Sequence, residues 1–355
     1  MFRSRYRNEW RIGHRPLVVG NEQSSVDPVT EYSFDFTVMA DGALPAPLTG
    51  STWAVVGGVA VNTPTLGSEL LTNPGLEGTY TSGLSPNLTK TGSPTVAESA
   101  DVHGGTSAQR FTGAAFNDRL NWPTFAGVAG AWYKFSLWAK RTAGTAANTN
   151  MIAEATGNIP SAGGSQRIFG SSWQQEAASF ITTGTANVYI FPAREATGGG
   201  SYDTVIVDDG SAKRITYADL FALFDSGDRT AIAKAQPSPL VDGTLSAVVA
   251  WAGSASSPDT YVMAYWRYRS QKDRISFGMI KCVSGTYTSL IAEQSAVTVT
   301  DAWLEIRPVS STQVALYYNN VQIGTTQTVN DCPGSYAGFL VSGGNNIKRF
   351  FVVAP

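Results

Sequence analysis

The 355-residue sequence predicts an all-β protein with an extended N-terminal arm. Only 15% of the residues are charged, whereas the chain contains 36 Gly, 16 Phe, 14 Tyr and 9 Trp. This composition is typical of short strands joined by turns and leaves few residues for the charged faces of surface helices. Apolar and polar residues alternate in many segments, as in half-buried strands. The length allows two or three domains.

The N-terminal segment is basic. Residues 1–16 carry five arginines and one glutamate, a net charge of +4, and the whole chain carries −2, so the remainder carries −6. The segment is either a solvated terminus or an arm that docks onto an acidic partner surface. Nucleic acid is a weaker third choice and is not expected as a partner, because nothing else in the chain is basic. The residues expected to anchor residues 1–30 to a partner are Arg3, Arg5, Tyr6, Arg7, Trp10 and Arg11.

Two strand signals follow the arm. Tyr32-Ser-Phe-Asp-Phe-Thr-Val38 alternates with period two and predicts Phe34, Phe36 and Val38 on one face. The segment 50–61 predicts a hairpin that turns at Gly57-Gly58.

The remaining strands fall into two sets. Between residues 69 and 212 the best segments are 108–112, 132–140, 176–182, 186–191 and 204–207. From residue 244 to residue 353 nine further segments alternate, and Asn319-Asn320 predicts a tight hairpin because Asn tolerates positive φ. The segment 217–224 is short and apolar, and its pattern leaves helix and strand both open.

The sequence predicts no secretion signal and no membrane insertion. The N-terminus lacks an apolar core of the kind that signal peptides have, and no apolar run is long enough to cross a bilayer. We therefore expect synthesis and folding in a cytoplasm. Cys282 and Cys332 are too few for a disulfide framework, and two buried free thiols are expected, although pairing stays open.

Residues 67–213 resemble the jelly-roll carbohydrate-binding modules that accompany many glycanases. Five segments carry the resemblance in the same order as in those modules: Leu70-Leu-Thr-Asn73-Pro-Gly75-Leu-Glu77, His103-Gly-Gly-Thr-Ser-Ala-Gln-Arg-Phe111, Trp132-Tyr-Lys-Phe-Ser-Leu-Trp-Ala-Lys140, Trp173 with residues 176–180, and Val205-Ile-Val-Asp-Asp209. The resemblance implies a jelly-roll β-sandwich.

Residues 214–355 resemble the concanavalin A-like, laminin-G-like sandwich. The supporting segments are Val262-Met-Ala-Tyr-Trp-Arg-Tyr268, Asp273-Arg-Ile-Ser-Phe-Gly278, Asp301-Ala-Trp303-Leu-Glu-Ile-Arg307 and Ala337-Gly-Phe339. The usual first segment of this family matches Phe36, residues 41–44 and residues 50–60, far upstream. The resemblance therefore implies one discontinuous sandwich, residues 31–66 plus 214–355, with the jelly roll 67–213 inserted in it.

The resemblance to carbohydrate-binding modules also implies one structural calcium ion. In those modules the ion lies where the entry segment meets the last strand, which corresponds here to Glu77 with Asp208 or Asp209. Carboxylates are suitable ligands for Ca²⁺. Because adjacent residues of a strand face opposite sides, we expect only one of the two aspartates to take part.

Sugar binding would use aromatic rings, because pyranose C–H groups stack on them. The candidates are Trp122, Trp138, Trp173 and Tyr202 in residues 67–213, and Trp266 in the other sandwich. Each one is also a candidate core residue, and alternation places Tyr265 and Trp266 on opposite faces.

No catalytic set is evident in the sequence. His14 and His103 are the only histidines, and neither lies in the context of a nucleophile or a zinc site; His103 is expected to be a turn or capping residue. Glycosidases need two facing carboxylates, and the acidic strand motif of glucanases is missing. Glu154 and Glu305 are expected to be surface groups. We therefore expect a protein that is not an enzyme.

A lectin-like protein with a basic arm resembles structural virion proteins of tailed bacteriophages. That resemblance implies a virion location, contacts with other virion proteins through the arm, a host cell-surface glycan as ligand, and a homo-oligomer in the particle. The alternative is a bacterial cell-surface or secreted polysaccharide-binding protein without catalysis.

Overall fold

The computed structural model describes residues 32–353, except 47, 49, 51, 114–117, 144–169, 183–188, 191–203, 238–244, 256–257, 270–273, 298–300 and 343–345. Across these residues the protein consists of antiparallel strands and two short 3-10 helices, Phe36–Val38 and Tyr217–Leu220, with no α-helix. The predicted all-β class is confirmed.

The strands are numbered in chain order. The first twelve are β1 (Tyr32–Asp35), β2 (Gly42–Ala43), β3 (Trp53–Val56), β4 (Val59–Asn62), β5 (Leu66–Glu69), β6 (Thr89–Thr91), β7 (Thr95–Ser99), β8 (Ala108–Thr112), β9 (Arg119–Asn121), β10 (Trp132–Ala143), β11 (Gln174–Ile181) and β12 (Tyr189–Ile190). The others are β13 (Thr204–Ile215), β14 (Phe221–Asp225), β15 (Ile232–Pro237), β16 (Leu245–Ala252), β17 (Tyr261–Arg269), β18 (Arg274–Val283), β19 (Thr286–Val297), β20 (Leu304–Ser310), β21 (Gln313–Tyr318), β22 (Val321–Thr328), β23 (Tyr336–Val341) and β24 (Ile347–Val353).

Two sheets form what we call the terminal module, residues 32–62 and 217–353. Sheet A has the order β2-β3-β4-β24-β15-β20-β21-β22, with β1 paired to β24, and sheet B has the order β14-β23-β16-β17-β18-β19. The strands before residue 62 pair with the end of the chain, as in the register Phe34↔Phe350. Both sheets contribute to one apolar core, in which Trp53 packs edge-on against Phe339 with ring centroids 5.0 Å apart.

The two predicted turns of this module are confirmed. Gly57 and Gly58 have φ of 58° and 80° between β3 and β4, and Asn319 and Asn320 have φ of 48° and 65° between β21 and β22. Positive φ at both central residues is the geometry that tight hairpins require.

Two details differ from the sequence-based expectations. The strand expected over 32–38 ends at Asp35, whose side chain accepts a hydrogen bond from the Thr37 amide and caps a 3-10 turn. Phe34 and Phe36 are buried, whereas Val38 is 66% exposed because the turn rotates it away from the core. The ambiguous segment 217–224 is divided between the 3-10 helix Tyr217–Leu220 and the first four residues of β14.

The other two sheets form the central module, residues 66–215. Sheet C has the order β11-β10-β13-β8-β7, with β5 paired to β13, and sheet D has the order β12-β9-β6. Their core contains Phe111, Trp122, Tyr133, Phe135 and Phe180. The boundaries at 66 and 213 thus lie within a few residues of the points where the strand pairing changes module, although β5 begins at Leu66 and belongs with the central module.

The central module covers the outer face of sheet B. Trp132, Ile181 and Ile215 pack in one apolar cluster with residues of sheet B that face away from the terminal core, among them Tyr261 and Met263. Hydrogen bonds cross the same junction: Trp132 Nε1 donates to Tyr287 Oη at 3.2 Å, and Tyr261 Oη lies 3.0 Å from Tyr287 Oη. The strands β16 and β17 of sheet B are therefore buried on both faces.

Cys282 and Cys332 are buried and unpaired, as expected. Burial raises the pKa of the Cys282 thiol to about 11 and that of Cys332 to about 12. In the part of the chain that the structure describes, no helix is long and apolar enough to span a membrane.

Candidate functional site

Strand β10 determines which side chains reach the surface of sheet C. From Tyr133 to Lys140 its residues alternate between buried and partly exposed, so Phe135, Leu137 and Ala139 enter the core while Trp138 and Lys140 share the outer face. The period of two is that of a strand with one solvated face. Trp138 is therefore half-buried at the surface and does not fill the core.

Trp138 belongs to a group of rings on this face. The His103 imidazole lies parallel to the Trp138 indole, with centroids 3.8 Å apart and an interplanar angle of 13°. The Trp173 indole meets the same imidazole edge-on at 5.8 Å. Lys140 Nζ lies 4.9 Å from the Trp173 centroid and 2.5 Å from Asp101 Oδ1. We call His103, Trp138, Lys140 and Trp173 the aromatic surface.

A second group of polar residues lies beside the aromatic surface, around the loop 103–107. Glu77 Oε1 accepts hydrogen bonds from the N–H groups of Thr106 and Ser107 at 2.7 and 3.3 Å, and Oε2 accepts from Thr106 Oγ1 at 2.5 Å. Asp208 Oδ2 accepts from the N–H groups of His103 and Gly104 at 2.8 and 3.1 Å. The loop is thus held by two carboxylates; we call Glu77, Asp208 and Asp209 the carboxylate cluster.

Asp208 and Asp209 both face this loop, contrary to the expectation that only one would. Asp209 Oδ2 lies 2.6 Å from His103 Nδ1, so both aspartates contact the same residue. The reason is an irregularity in the pairing of β10 with β13, between Ser136 and Trp138, next to which Asp209 has φ of 44°. A bulge of this kind breaks the strict alternation on which the expectation rested.

The pKa values of two carboxylates in the cluster shift in opposite directions. Burial raises the pKa of Asp208, which has no exposed surface, although hydrogen bonds from the amides of Gly104 and His103 lower it in part. Hydrogen bonds from the Thr106 hydroxyl and N–H lower the pKa of Glu77. The surroundings of Glu77 thus favour its charged form, whereas those of Asp208 disfavour it.

Two glycines allow the loop 103–107 to lie close to the carboxylate cluster. A Cβ on Gly105 would lie 1.8 Å from Glu77 Oε1, and a Cβ on Gly104 would lie 2.6 Å from Asp209 Oδ2. Gly105 also has φ of +64°. A side chain at either position would push the loop away from the carboxylates.

The carboxylate cluster brings the three proposed calcium ligands to one loop. Their oxygens are hard donors of the type that Ca²⁺ takes, and backbone carbonyls of residues 103–107 lie on the same loop. Among the described residues, however, no group of three or more His, Cys, Asp or Glu side chains has an arrangement that would hold a metal ion. Glu77 and Asp208 are instead turned to the N–H groups of the loop.

The other sugar-binding candidates are placed differently. Trp122 and Trp266 are each only 2% exposed and lie in the cores of the central and terminal modules, so their ring faces are covered by protein and cannot receive a ligand in this conformation. Tyr202 and the arm candidates Arg3, Arg5, Tyr6, Arg7, Trp10 and Arg11 lie outside the described residues.

Glu305 is not the surface group that the sequence suggested. It is 3% exposed on β20 and accepts hydrogen bonds from Arg307 Nε and Nη2 at 2.8 and 2.6 Å. This ion pair gives the carboxylate a structural partner. Glu154 and His14 lie outside the described residues.

Sequence reasoning missed Asp101 and Lys140 and underestimated His103. Lys140 carries a signal, because it follows Trp138 by two residues in an alternating strand and must share its face. Asp101 and His103 carry none, because loop residues reach their partners only through the tertiary fold.

No protein-family model matches the sequence. No curated protein matches it significantly either.

Proposed function

We propose that the chain is a non-catalytic binding protein whose aromatic surface takes a saccharide. The observation that carries the proposal is the group of two partly exposed indoles, Trp138 and Trp173, joined through His103 on one face of sheet C. Indole faces pack against the C–H groups of pyranose rings, and neighbouring polar groups bond to the hydroxyls. Asp101 and Lys140 supply such groups at the edge of the rings.

Rigidity supports this role. His103 is held on three sides, by stacking on Trp138, by the bond from its ring to Asp209, and by the bond from its N–H to Asp208. Rings that are already positioned lose little conformational entropy when a ligand binds. The engagement of His103 in this packing, and of Glu77 and Asp208 with the N–H groups of the loop, favours binding without catalysis.

The carboxylate cluster is the proposed site of one structural calcium ion. Glu77, Asp208 and Asp209 would supply carboxylate oxygens and the loop 103–107 backbone carbonyls. In the described conformation the loop N–H groups occupy these oxygens, so binding would require the carboxylates to turn. The ion would fix the loop that carries His103.

The biological setting that we propose is a virion of a tailed bacteriophage. The chain would be a structural component, attached to other virion proteins through residues 1–30 and oligomeric in the particle, with its modules displayed towards glycans of the host surface. A bacterial cell-surface or secreted polysaccharide-binding protein is the alternative. Five arginines and three aromatic residues in residues 1–16 support the anchoring role.

The experiment for the saccharide role is binding of the fluorescently labelled full chain to bacterial cells and to their purified surface polysaccharides. We expect saturable binding to the polysaccharide of a subset of strains, lost when that polysaccharide is removed enzymatically. Uniform or absent binding across strains would contradict the proposal.

For the arm, deletion of residues 2–16 should leave the melting temperature unchanged and remove the protein from assembled particles. Normal incorporation of the shortened chain would contradict the anchoring role.

A further inference from the structure

A cavity lies in the terminal module, away from the aromatic surface. Its volume is about 560 Å³, within the range of small-ligand sites. It opens where the edge strands of the two sheets face each other, β19 of sheet B and β22 of sheet A. Phe277 and Tyr318 lie on one side, and Gln294, Asn319 and Gln322 are among the other lining residues.

The aromatic side of the cavity is a stacked pair. The rings of Phe277 and Tyr318 have centroids 4.7 Å apart and an interplanar angle of 15°. Phe277 is 3% exposed and anchored in the terminal core, whereas Tyr318 is only half-buried. The buried Phe277 ring therefore holds Tyr318 in place, and the exposed part of the Tyr318 ring is the aromatic surface that faces the cavity.

Tyr318 carries a polar group without a partner. Its Oη is buried and makes no hydrogen bond to any described residue, and burial raises the pKa of its hydroxyl. A buried hydroxyl without a partner loses its bonds to water and receives none in return. A ligand with its own hydroxyl groups would supply the missing bond.

Gln294 is the carboxamide most loosely held in this cavity. Its Nε2 donates to the Ala292 carbonyl at 3.3 Å, only two residues away, and the side chain is exposed. Asn319 Oδ1 already accepts from the Trp303 N–H at 2.8 Å. Gln322 pairs in register with Tyr317 and accepts from its Oη at 3.3 Å, so the Gln322 side chain lies on the face of sheet A opposite to Tyr318. The long local bond of Gln294 can be exchanged for a ligand bond at small cost, and a carboxamide both donates and accepts, as sugar hydroxyls do.

The uncharged lining of the cavity determines which ligands it can bind. In the described part of the chain its lining contains no acidic or basic side chain. A carboxylate, phosphate or ammonium ligand would lose its hydration without gaining a counter-charge. An entirely apolar ligand would leave the Tyr318 hydroxyl unpaired.

We propose that this cavity binds a neutral saccharide, as a second site separate from the aromatic surface. The exposed part of the Tyr318 ring would pack against the sugar, and Gln294 and the Tyr318 hydroxyl would bond to its hydroxyl groups. The inference goes beyond the proposed function, because it concerns the other module and does not require that the aromatic surface bind anything.

The test uses the full chain with Trp138→Ala and Trp173→Ala, so that binding at the aromatic surface is removed. Hexasaccharides of β-1,4-glucose, β-1,4-xylose, β-1,4-mannose and β-1,4-N-acetylglucosamine are the neutral probes, with hexagalacturonate as the anionic comparison, and saturation-transfer NMR and calorimetry report binding. Tyr318→Phe and Gln294→Ala are compared with Gln327→Ala, a carboxamide of β22 outside the cavity.

We expect at least one neutral hexasaccharide to bind and hexagalacturonate not to bind. Tyr318→Phe and Gln294→Ala should each weaken binding by up to about tenfold, and Gln327→Ala should leave it unchanged. Tyr318→Phe should keep the melting temperature, since it removes a hydroxyl that has no partner. The proposal is overturned if no neutral probe binds, if all three variants bind equally, or if light scattering shows that a second copy of the chain fills the cavity in a dimer that Val321→Asp dissociates.

Discussion

His103 stacks on Trp138 with ring centroids 3.8 Å apart, and its Nδ1 lies 2.6 Å from Asp209 Oδ2. This one side chain joins the carboxylate cluster to the aromatic surface. From the sequence alone the two groups are separate candidates: the carboxylates for a metal ion and the tryptophans for a sugar. In the structure a change in the loop 103–107 must alter the position of a ring that packs on Trp138, so the two groups act as one unit.

The calcium proposal predicts a change in thermal stability. Millimolar Ca²⁺ should raise the melting temperature of the wild-type chain by a few degrees, because a ligand that binds only the folded state stabilises it. Glu77→Gln with Asp209→Asn should abolish the rise, because both changes remove charge from the loop site. Differential scanning calorimetry with and without chelator measures the effect.

The matched control for the calcium experiment is Asp331→Asn. Asp331 is a surface carboxylate of the terminal module that pairs with Lys281, so its loss should not affect the response to Ca²⁺. The calcium site would be contradicted if neither Ca²⁺ nor chelator changed the melting temperature of the wild-type chain. It would also be contradicted if Ca²⁺ raised the melting temperature of the double variant as much as that of the wild type.

Asp208→Ala should destabilise the central module. The Asp208 carboxylate accepts hydrogen bonds from the backbone N–H groups of His103, Gly104 and Asp209. Removal would leave these donors without a protein partner at a site with no exposed surface, and we expect a loss of about 2–4 kcal/mol in the free energy of unfolding. Urea denaturation measures it; a loss below about 0.5 kcal/mol would mean that the loop does not depend on this carboxylate.

These residues show what could be read from the sequence. Trp138 was one of several aromatic candidates for sugar binding, with a core position left open, and the order of Glu77, His103 and Asp209 along the chain followed a family resemblance. Their meeting at one loop depends on the bulge at Asp209, which breaks the period of two. Local alternation cannot reveal a bulge, because one extra residue changes the side on which every later side chain lies.

The second feature that the sequence could not predict is which of the aromatic side chains are buried. Trp122, Trp138 and Trp266 all lie in or beside alternating segments, and only the packing of the sheets separates the half-buried one from the two that fill cores. Sheet B illustrates the reason. Its outer face would be solvated in an isolated sandwich, but here the central module covers it, so residues on both faces are apolar.

The tyrosines at the module junction predict a loss of stability at alkaline pH. Burial raises the pKa of Tyr287 to about 12 and raises that of Tyr261 as well, whereas the unfolded chain has tyrosine pKa values of about 10. The folded state therefore keeps these protons longer, and its stability should be intact below pH ~10 and fall as the pH rises towards ~12.

Tyr287→Phe tests that pH dependence. It removes a hydroxyl that bonds to Trp132 and Tyr261, so we expect a cost of about 1 kcal/mol at pH ~8 together with a shallower loss of stability above pH ~10. Urea denaturation at a series of pH values measures both the cost at pH ~8 and the slope of stability against pH above ~10. Equal slopes for the two proteins above pH ~10 would show that Tyr287 does not carry the effect.

A chain shortened by residues 67–213 tests the discontinuous sandwich. We expect residues 31–66 joined by a short linker to 214–355 to fold, because β1, β3 and β4 complete sheet A. It should also self-associate and bind a hydrophobic dye, since Tyr261, Met263 and Leu340 lose their cover. Met263→Thr with Leu340→Thr should reduce dye binding. If residues 214–355 fold equally well alone, by circular dichroism, the discontinuous sandwich is wrong.

The most direct test of the saccharide-binding account is the affinity of the Trp138→Ala, Trp173→Ala double variant for the polysaccharide that the wild-type chain binds. Calorimetric titration should show affinity reduced by at least about tenfold. The melting temperature should fall by a few degrees, since Trp138 is half-buried and stacks on His103, while the circular dichroism spectrum should stay that of a folded chain. Trp303→Ala, a partly exposed tryptophan of the terminal module, should bind like the wild type. Equal affinity of the double variant and the wild type would contradict the central claim that the aromatic surface is the binding site.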